Sequence, residues 1–119
     1  MSLQALLAEL QQSYLAALPG KAVLIEQLWQ AGNLVDLETE YHKLKGTGRT
    51  YGLPEITQVG EALERICECR HASLAEAVPL SIRLITELRQ QRINGEAPKM
   101  DESVDFQKLV KIVEQLDRA

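Results

Sequence analysis

The chain has 119 residues, enough for one domain with a single modest core, and a formal net charge of −4. The acidic balance gives no electrostatic support for nucleic-acid binding. No apolar run approaches the length of a membrane span, and the N-terminal segment lacks the basic start of a secretory signal. We therefore expect a soluble, cytoplasmic protein without membrane insertion.

Leucine, alanine, glutamate and glutamine dominate the composition and favour helices over strands. The spacing of apolar residues predicts helices over residues 3–17, 21–31, 34–50, 54–70 and 73–93. Pro19 and Gly20 are expected to separate the first two. Pro79 predicts either a kink in the fifth helix or a later start near Val78.

These elements predict an all-α fold, an antiparallel four-helix bundle with an extra N-terminal helix packed on it and a short C-terminal helix. The predicted organisation is a bundle over residues 1–95, a linker over 96–103 and an amphipathic helix over 104–118. A free helix of that length is marginal in water. We expect it to pack on the bundle, on a second copy or on an adjoining domain.

The segment from His42 to Gly52 reads HKLKGTGRTYG and begins in the middle of the third predicted helix. A glycine in a helix interior costs about 1 kcal/mol relative to alanine, so Gly46 and Gly48 do not serve helix stability. Lys45, Gly46 and Arg49 share the helical face of His42. The apolar stripe of this helix is centred about 120° away, which predicts an exposed His42.

This pattern resembles the histidine-containing phosphotransfer (Hpt) domains of bacterial and fungal phosphorelays. Their signature is a His, a Lys three residues on, a Gly next to it, often a small hydroxyl residue, and a later Gly after an apolar or aromatic residue. A Leu-Glu pair follows in the next helix. The matching residues are His42, Lys45, Gly46, Thr47, Tyr51, Gly52, Leu63 and Glu64. The resemblance covers residues 18–92.

The resemblance implies a phosphocarrier with all-helical structure and a role for each signature residue. His42 would accept the phosphoryl group on Nε2, and Lys45 would compensate its charge. Glu64 would either orient the imidazole through its other nitrogen or stand solvated beside an arginine. The residues left as candidates for partner binding are Lys43, Gly46, Arg49 and Gly52.

The implied partners are receiver domains of response regulators, with a sensor or hybrid histidine kinase as another donor. The chain shows no glycine-rich nucleotide loop, so we expect no autokinase activity. We expect a phosphotransfer intermediate and not an enzyme. No cofactor is expected, because magnesium would come from the acidic cluster of the receiver. One alternative is an unphosphorylated adaptor that binds receiver or kinase domains. Another is a small enzyme with His42 as general base, which would need a concave pocket.

Cys67, Cys69 and His71 form a C-x-C-x-H pattern that could suggest a metal site. Residues two apart on a helix point in nearly opposite directions, so the two thiols would not converge. We therefore interpret both cysteines as reduced, with Cys67 buried and Cys69 half-exposed, and His71 as a surface residue in a turn.

Overall fold

The computed structural model describes residues 2–69 and 72–118. Within those ranges it contains helices and turns but no strand, and the predicted all-α bundle is confirmed. The helices are α1 Leu3–Gln30, α2 Leu34–Thr50, α3 Pro54–Cys69, α4 Leu74–Ile93 and α5 Val104–Arg118, with a short 3₁₀ helix Met100–Glu102 before α5. His71 and the last residue of the predicted fourth helix, Arg70, lie outside the described residues.

Residues 3–30 form one helix, so the predicted break at Pro19 is wrong, and the extra N-terminal helix is the first half of α1. Proline has no N–H and leaves the carbonyl four residues earlier without its helical donor. That carbonyl belongs to Leu15, and Arg89 of α4 donates to it from Nε at 2.7 Å. A tertiary hydrogen bond therefore replaces the one that Pro19 removes, and the helix continues.

One core cluster joins the helices. α1 packs on α2 and α4, and α3 packs on α2, α4 and α5. The largest buried side chains are Leu18, Ile25, Leu37, Tyr41, Leu44, Leu53, Ile56, Leu63, Ile66, Leu84, Ile85 and Leu109. Leu109 belongs to α5, so the C-terminal helix contributes to the same core as the bundle. α4 begins at Leu74 and passes through Pro79 without ending.

Two ion pairs join α5 to the bundle from its two ends. Asp105 accepts from the Arg83 guanidinium of α4 at 3.0 Å, and Asp117 accepts from the Arg65 guanidinium of α3 at 2.9 Å. Exposed pairs of this kind add little stability singly, whereas the buried Leu109 contributes through the apolar area it removes from water. The tail thus packs on the bundle, one of the placements that its amphipathic pattern predicts.

α2 and α3 run antiparallel and approach so closely that two glycines are needed where they touch. A Cβ on Gly48 would lie 2.6 Å from Thr57 N, and a Cβ on Gly60 would lie 2.6 Å from Lys45 N. Thr57 Oγ1 also donates to the Lys45 carbonyl at 2.9 Å. We call this contact the α2–α3 seam. It fixes which residues of α3 stand opposite which residues of α2.

Candidate functional site

His42 projects from the middle of α2 into solvent. Its side chain is 71% exposed, while the neighbouring Tyr41 and Leu44 are buried in the core. The exposure predicted from the apolar stripe of this helix is therefore confirmed. The ring stands on a helix whose opposite side is held by the core, so the imidazole is accessible on a firmly positioned backbone.

Glu64 lies directly beside the imidazole. Its Oε2 is 2.6 Å from His42 Nδ1, and only 14% of its side chain is exposed. A carboxylate can only accept hydrogen bonds, so Nδ1 carries the proton in this pair. In the neutral imidazole the lone pair is then on the second ring nitrogen, Nε2. Of the two interpretations of Glu64, the contact to the imidazole is the one that the structure contains.

The α2–α3 seam explains why Glu64 reaches His42. Gly60 sits one helical turn before Glu64 and on the same face of α3. A Cβ at Gly60 would press on Tyr41 O at 2.8 Å as well as on Lys45 N. Close approach at Gly60 thus brings the next turn of α3 within hydrogen-bond distance of the imidazole.

Lys45 shares the Glu64 carboxylate with His42. Its Nζ is 3.5 Å from Glu64 Oε1, while Oε2 of the same carboxylate contacts the imidazole. The ammonium group is therefore kept on the side of α2 that carries His42. Its side chain remains 34% exposed, which leaves it free to meet an anion arriving at the ring.

Gly46 and Arg49 continue this face towards the C-terminal end of α2. A Cβ on Gly46 would have nothing within 4 Å, so packing gives no reason for a glycine there. Arg49 is exposed and forms no ion pair with any described residue. We call the surface formed by His42, Lys45, Gly46 and Arg49 the His42 face.

Lys43 and Gly52, two of the residues predicted for partner binding, are not brought together with His42. Lys43 is turned about 100° away on the helix and donates to Glu40 at 3.2 Å. Gly52 follows the C-cap Tyr51 with a φ of +72°, a left-handed conformation that favours glycine. Its place in the α2–α3 turn accounts for that glycine.

Glu40 links α2 to α1 through Lys21 and also pairs with Lys43 of its own helix. Its carboxylate accepts from Lys43 and from Lys21 of α1. Burial by itself would raise the pKa of Glu40, but the hydrogen bonds and charges of Lys21 and Lys43 outweigh it and hold the pKa below its usual value. The flank of α2 facing α1 thus includes an ionic contact, distinct from the His42 face.

Sequence reasoning missed Gly60 and Thr57, the two α3 residues that set the seam. A signal was present, because Gly60 follows Ile56 by four residues and precedes Leu63 by three, which places it on the apolar stripe of α3. A glycine at an inward helical position indicates close backbone approach, as it does in α2.

A groove of about 460 Å³ runs between α3 and α5 beside this site. Lys45 and Glu64 contribute to its wall, and Phe106 and Val113 contribute apolar surface from α5. His42 does not line it. The exposed imidazole therefore stands outside this groove.

The Hpt domain family model matches residues 2–119, essentially the whole chain. The chain belongs to the Hpt domain family. Hpt domains are phosphotransfer intermediates in two-component phosphorelays and interact with receiver and kinase domains. The comparisons with curated proteins and with solved structures gave no match. The family match includes α5, which lies beyond the part of the chain that carries the Hpt signature.

In the described part of this Hpt domain, no helix is both long enough and apolar enough to cross a membrane. No group of three or more His, Cys, Asp or Glu side chains is placed to hold a metal ion among residues 2–69 and 72–118. In the same residues, Cys67 is buried and Cys69 is exposed, and neither forms a disulfide.

Proposed function

We propose that this Hpt domain carries a phosphoryl group on Nε2 of His42, accepting it from the aspartyl phosphate of one receiver domain and donating it to another. A histidine kinase is the other donor class. The observation that supports this most directly is the pairing of Nδ1 with Glu64, which leaves the exposed Nε2 as the nucleophile. We place the reaction in the cytoplasm, where receiver domains and kinases meet.

In the transfer step the Nε2 lone pair attacks phosphorus while the bond between phosphorus and the aspartyl oxygen breaks. The aspartate leaves as a carboxylate, and the imidazole becomes a phosphoimidazolium whose Nδ1 proton stays hydrogen-bonded to Glu64. The reaction needs positioning and charge stabilisation more than covalent assistance from the protein. Magnesium bound by the receiver would supply further charge stabilisation.

Lys45 compensates the charge that arrives on His42. A phosphoryl group on a side chain carries about −1.5 to −2 charges near neutral pH. Before transfer, the Lys45 ammonium is held near Glu64, within reach of the imidazole. Gly46 leaves the neighbouring surface bare, so the acidic pocket of a receiver can approach the ring without meeting a side chain.

The test is incubation with a receiver domain carrying labelled aspartyl phosphate. The expected product is a label that is stable in alkali and lost in acid, as a phosphohistidine is. His42→Gln should remove the label entirely and change stability by less than about 0.5 kcal/mol, because the side chain is exposed.

The matched control is His71→Gln, at the second of the two histidines in the chain. It should keep full labelling. Label that persists in His42→Gln and disappears in His71→Gln would refute the assignment. Binding of receivers without any labelling of the unaltered protein would instead identify the adaptor function considered for the sequence.

A further inference from the structure

The groove between α3 and α5 has an apolar wall that the proposed chemistry does not use. Phe106, Val110 and Val113 line it from α5, and their spacing places them in one stripe of that helix. All three are half-buried. From Phe106 to Asp117 the lining extends about 16 Å along α5, which is the length of about three turns of helix. The groove is therefore long enough to hold a segment of another polypeptide.

The rim of this groove is acidic. The cations that line it are Lys45 and Arg65, and both are already paired, Lys45 with Glu64 and Arg65 with Asp117. Glu61 and Glu114 are exposed and form no ion pair with any residue in the ranges 2–69 and 72–118. The full set of carboxylates that line the groove is Glu61, Glu64, Glu68, Glu114 and Asp117. Negative charge therefore remains uncompensated on both sides of the apolar wall.

The groove and the His42 face carry opposite charges. Lys45 and Arg49 make the His42 face basic, which suits the acidic pocket of a receiver domain. The rim of the groove would repel the same pocket, because like charges brought together at an interface disfavour binding. The groove therefore requires a partner surface that is basic.

An amphipathic helix with basic flanks meets both requirements of the groove. Its apolar residues, three and four apart, would cover Phe106, Val110 and Val113, as helices do in apolar grooves. Lysines or arginines beside that stripe would pair with the free carboxylates of Glu61 and Glu114. A second copy offers no such segment in its exposed apolar stretch, residues 3–10, whose single charged residue is an acid, Glu9.

Lys45 and Glu64 connect the groove to the phosphorylation site, because both line the groove and Glu64 also contacts His42. A phosphoryl group on His42 would add about −1.5 to −2 charges. Lys45 would turn towards that group, and its ion pair with Glu64 would weaken. Phosphorylation thus makes the surroundings of the groove more negative and removes one of its two cations.

We propose that the α3–α5 groove is a docking site for a basic amphipathic helix of a partner protein, and that it binds this helix more tightly when His42 is phosphorylated. The docking site stands on the groove alone, whereas its dependence on phosphorylation rests on the proposed function. The groove would then let a partner distinguish the two states of the carrier without covering the imidazole.

The probe is a synthetic helical peptide about three turns long, with leucines along one face and lysines beside them. Fluorescence anisotropy of the labelled peptide with the full chain measures its Kd. Glu61→Gln/Glu114→Gln should raise the Kd about fivefold, because two charge pairs are lost. Val110→Gln should raise it by a similar factor through lost apolar contact, with urea unfolding to verify that the variant is folded.

The matched control is Glu76→Gln/Glu87→Gln, which removes the same charge at two exposed residues of α4 that do not line the groove. It should leave the Kd within twofold. A peptide of the same composition without helical spacing of its leucines should bind the unaltered protein at least about fivefold more weakly.

The dependence on phosphorylation is measured after treatment with phosphoramidate, a small phosphoryl donor that needs no receiver. The Kd of the labelled protein should fall about threefold, as expected for two added charges about 10 Å from a cationic peptide. His42→Gln treated in the same way should keep its original Kd.

Three outcomes separate these claims. Equal binding by the groove variant and the α4 control would show that the peptide responds to net charge, and the docking site would be refuted. An unchanged Kd in protein that carries the label would refute the dependence on phosphorylation. If phosphoramidate leaves no label on His42, the proposed function fails and that dependence fails with it, whereas groove-dependent binding of the untreated protein would still establish the docking site.

Discussion

Gly46 in α2 and Gly60 in α3 have the same cost to their helices but very different surroundings. A Cβ on Gly46 would meet nothing within 4 Å, whereas one on Gly60 would lie 2.6 Å and 2.8 Å from backbone atoms of Lys45 and Tyr41. Packing therefore accounts for Gly60 and does not account for Gly46. Gly60 allows the close packing that holds the site together, whereas Gly46 leaves the surface beside His42 accessible.

The comparison shows how α2 combines a fixed side with an open one. On the side of the seam, backbone meets backbone, and α3 has little freedom to shift. On the His42 face, the imidazole and the bare backbone at Gly46 stay in solvent. This arrangement suits an imidazole that must meet different partners. Packing at the seam fixes its position, while the His42 face stays open to an approaching protein.

The largest expected effect on stability is at the α2–α3 seam. Gly60→Ala should lower the free energy of unfolding by about 2–3 kcal/mol, because the new methyl group can be accommodated only if α2 and α3 separate. Urea unfolding measures the loss. Transfer to His42 should slow as well, since Glu64 moves with α3.

Gly20→Ala is the matched control. Gly20 lies inside α1 with nothing within 4 Å of its Cβ position, so alanine there should raise stability by about 0.5–1 kcal/mol. A Gly60→Ala protein as stable as the Gly20→Ala protein would show that the seam tolerates a side chain, and the contrast between the two glycines would fail.

The next largest effect concerns Glu64, which the seam places beside the imidazole. Glu64→Leu should slow phosphoryl transfer about tenfold, equivalent to about 1.4 kcal/mol in the barrier, because Nδ1 loses its acceptor and the ring its orientation. Glu64→Gln should recover most of the rate, since an amide oxygen also accepts from Nδ1–H. Single-turnover transfer from a phosphorylated receiver measures both variants.

Glu68→Leu provides the comparison for Glu64, because it lies one turn further along α3 and is exposed. It should leave the rate unchanged. If the leucine and glutamine variants at position 64 slow transfer equally, a hydrogen bond to the imidazole is not what Glu64 contributes.

A smaller and opposite effect on stability is expected at the open glycine. Gly46→Gln should raise stability by about 0.5 kcal/mol through helix propensity, yet slow transfer from a receiver by placing a side chain beside His42. Gly20→Gln should give a similar gain in stability without slowing transfer. Equal transfer rates in the two variants would mean that no partner approaches over Gly46.

Only those features of the site that depend on local contacts could be predicted from the sequence. The exposure of His42 and the burial of Tyr41 and Leu44 follow from helical periodicity within α2, and the structure agrees. The cap of α2 is equally local, because the side chain of its N-cap residue, Asn33, accepts from Asp36 N at 3.2 Å. Contacts inside one helix need no knowledge of the fold.

Contacts between distant parts of the chain were less accessible. By local rules, Pro19 predicts the end of a helix. The helix continues because Arg89, 70 residues further along the chain, donates a hydrogen bond to the freed Leu15 carbonyl. Gly60 carries a local signal, but its partners in α2 depend on the register of the α2–α3 hairpin. The contact of Glu64 with His42 could be suggested from the family resemblance, whereas its geometry required the seam.

The third side of α2, which faces α1, adds ion pairs of Glu40 to its core packing, and removing the charge alone should have a modest effect on stability and none on transfer. The pKa of Glu40 is lowered in the folded protein, so its ion pairs stabilise the fold above the unfolded pKa, near 4.5, and that stability is lost as the pH falls through the folded pKa. Glu40→Gln should therefore cost about 0.5–1 kcal/mol at pH 7 and progressively less as the pH falls below the unfolded pKa.

Glu61→Gln serves as the control, since Glu61 is exposed and pairs with no described residue. It should change stability by less than about 0.5 kcal/mol at either pH. Urea unfolding at pH 7 and at about pH 3.5 measures both variants. A Glu40→Gln loss that stays constant with pH would mean that packing at Glu40, and not its charge, holds α1 against α2. That flank would then resemble the seam, and α2 would have two closed sides instead of one.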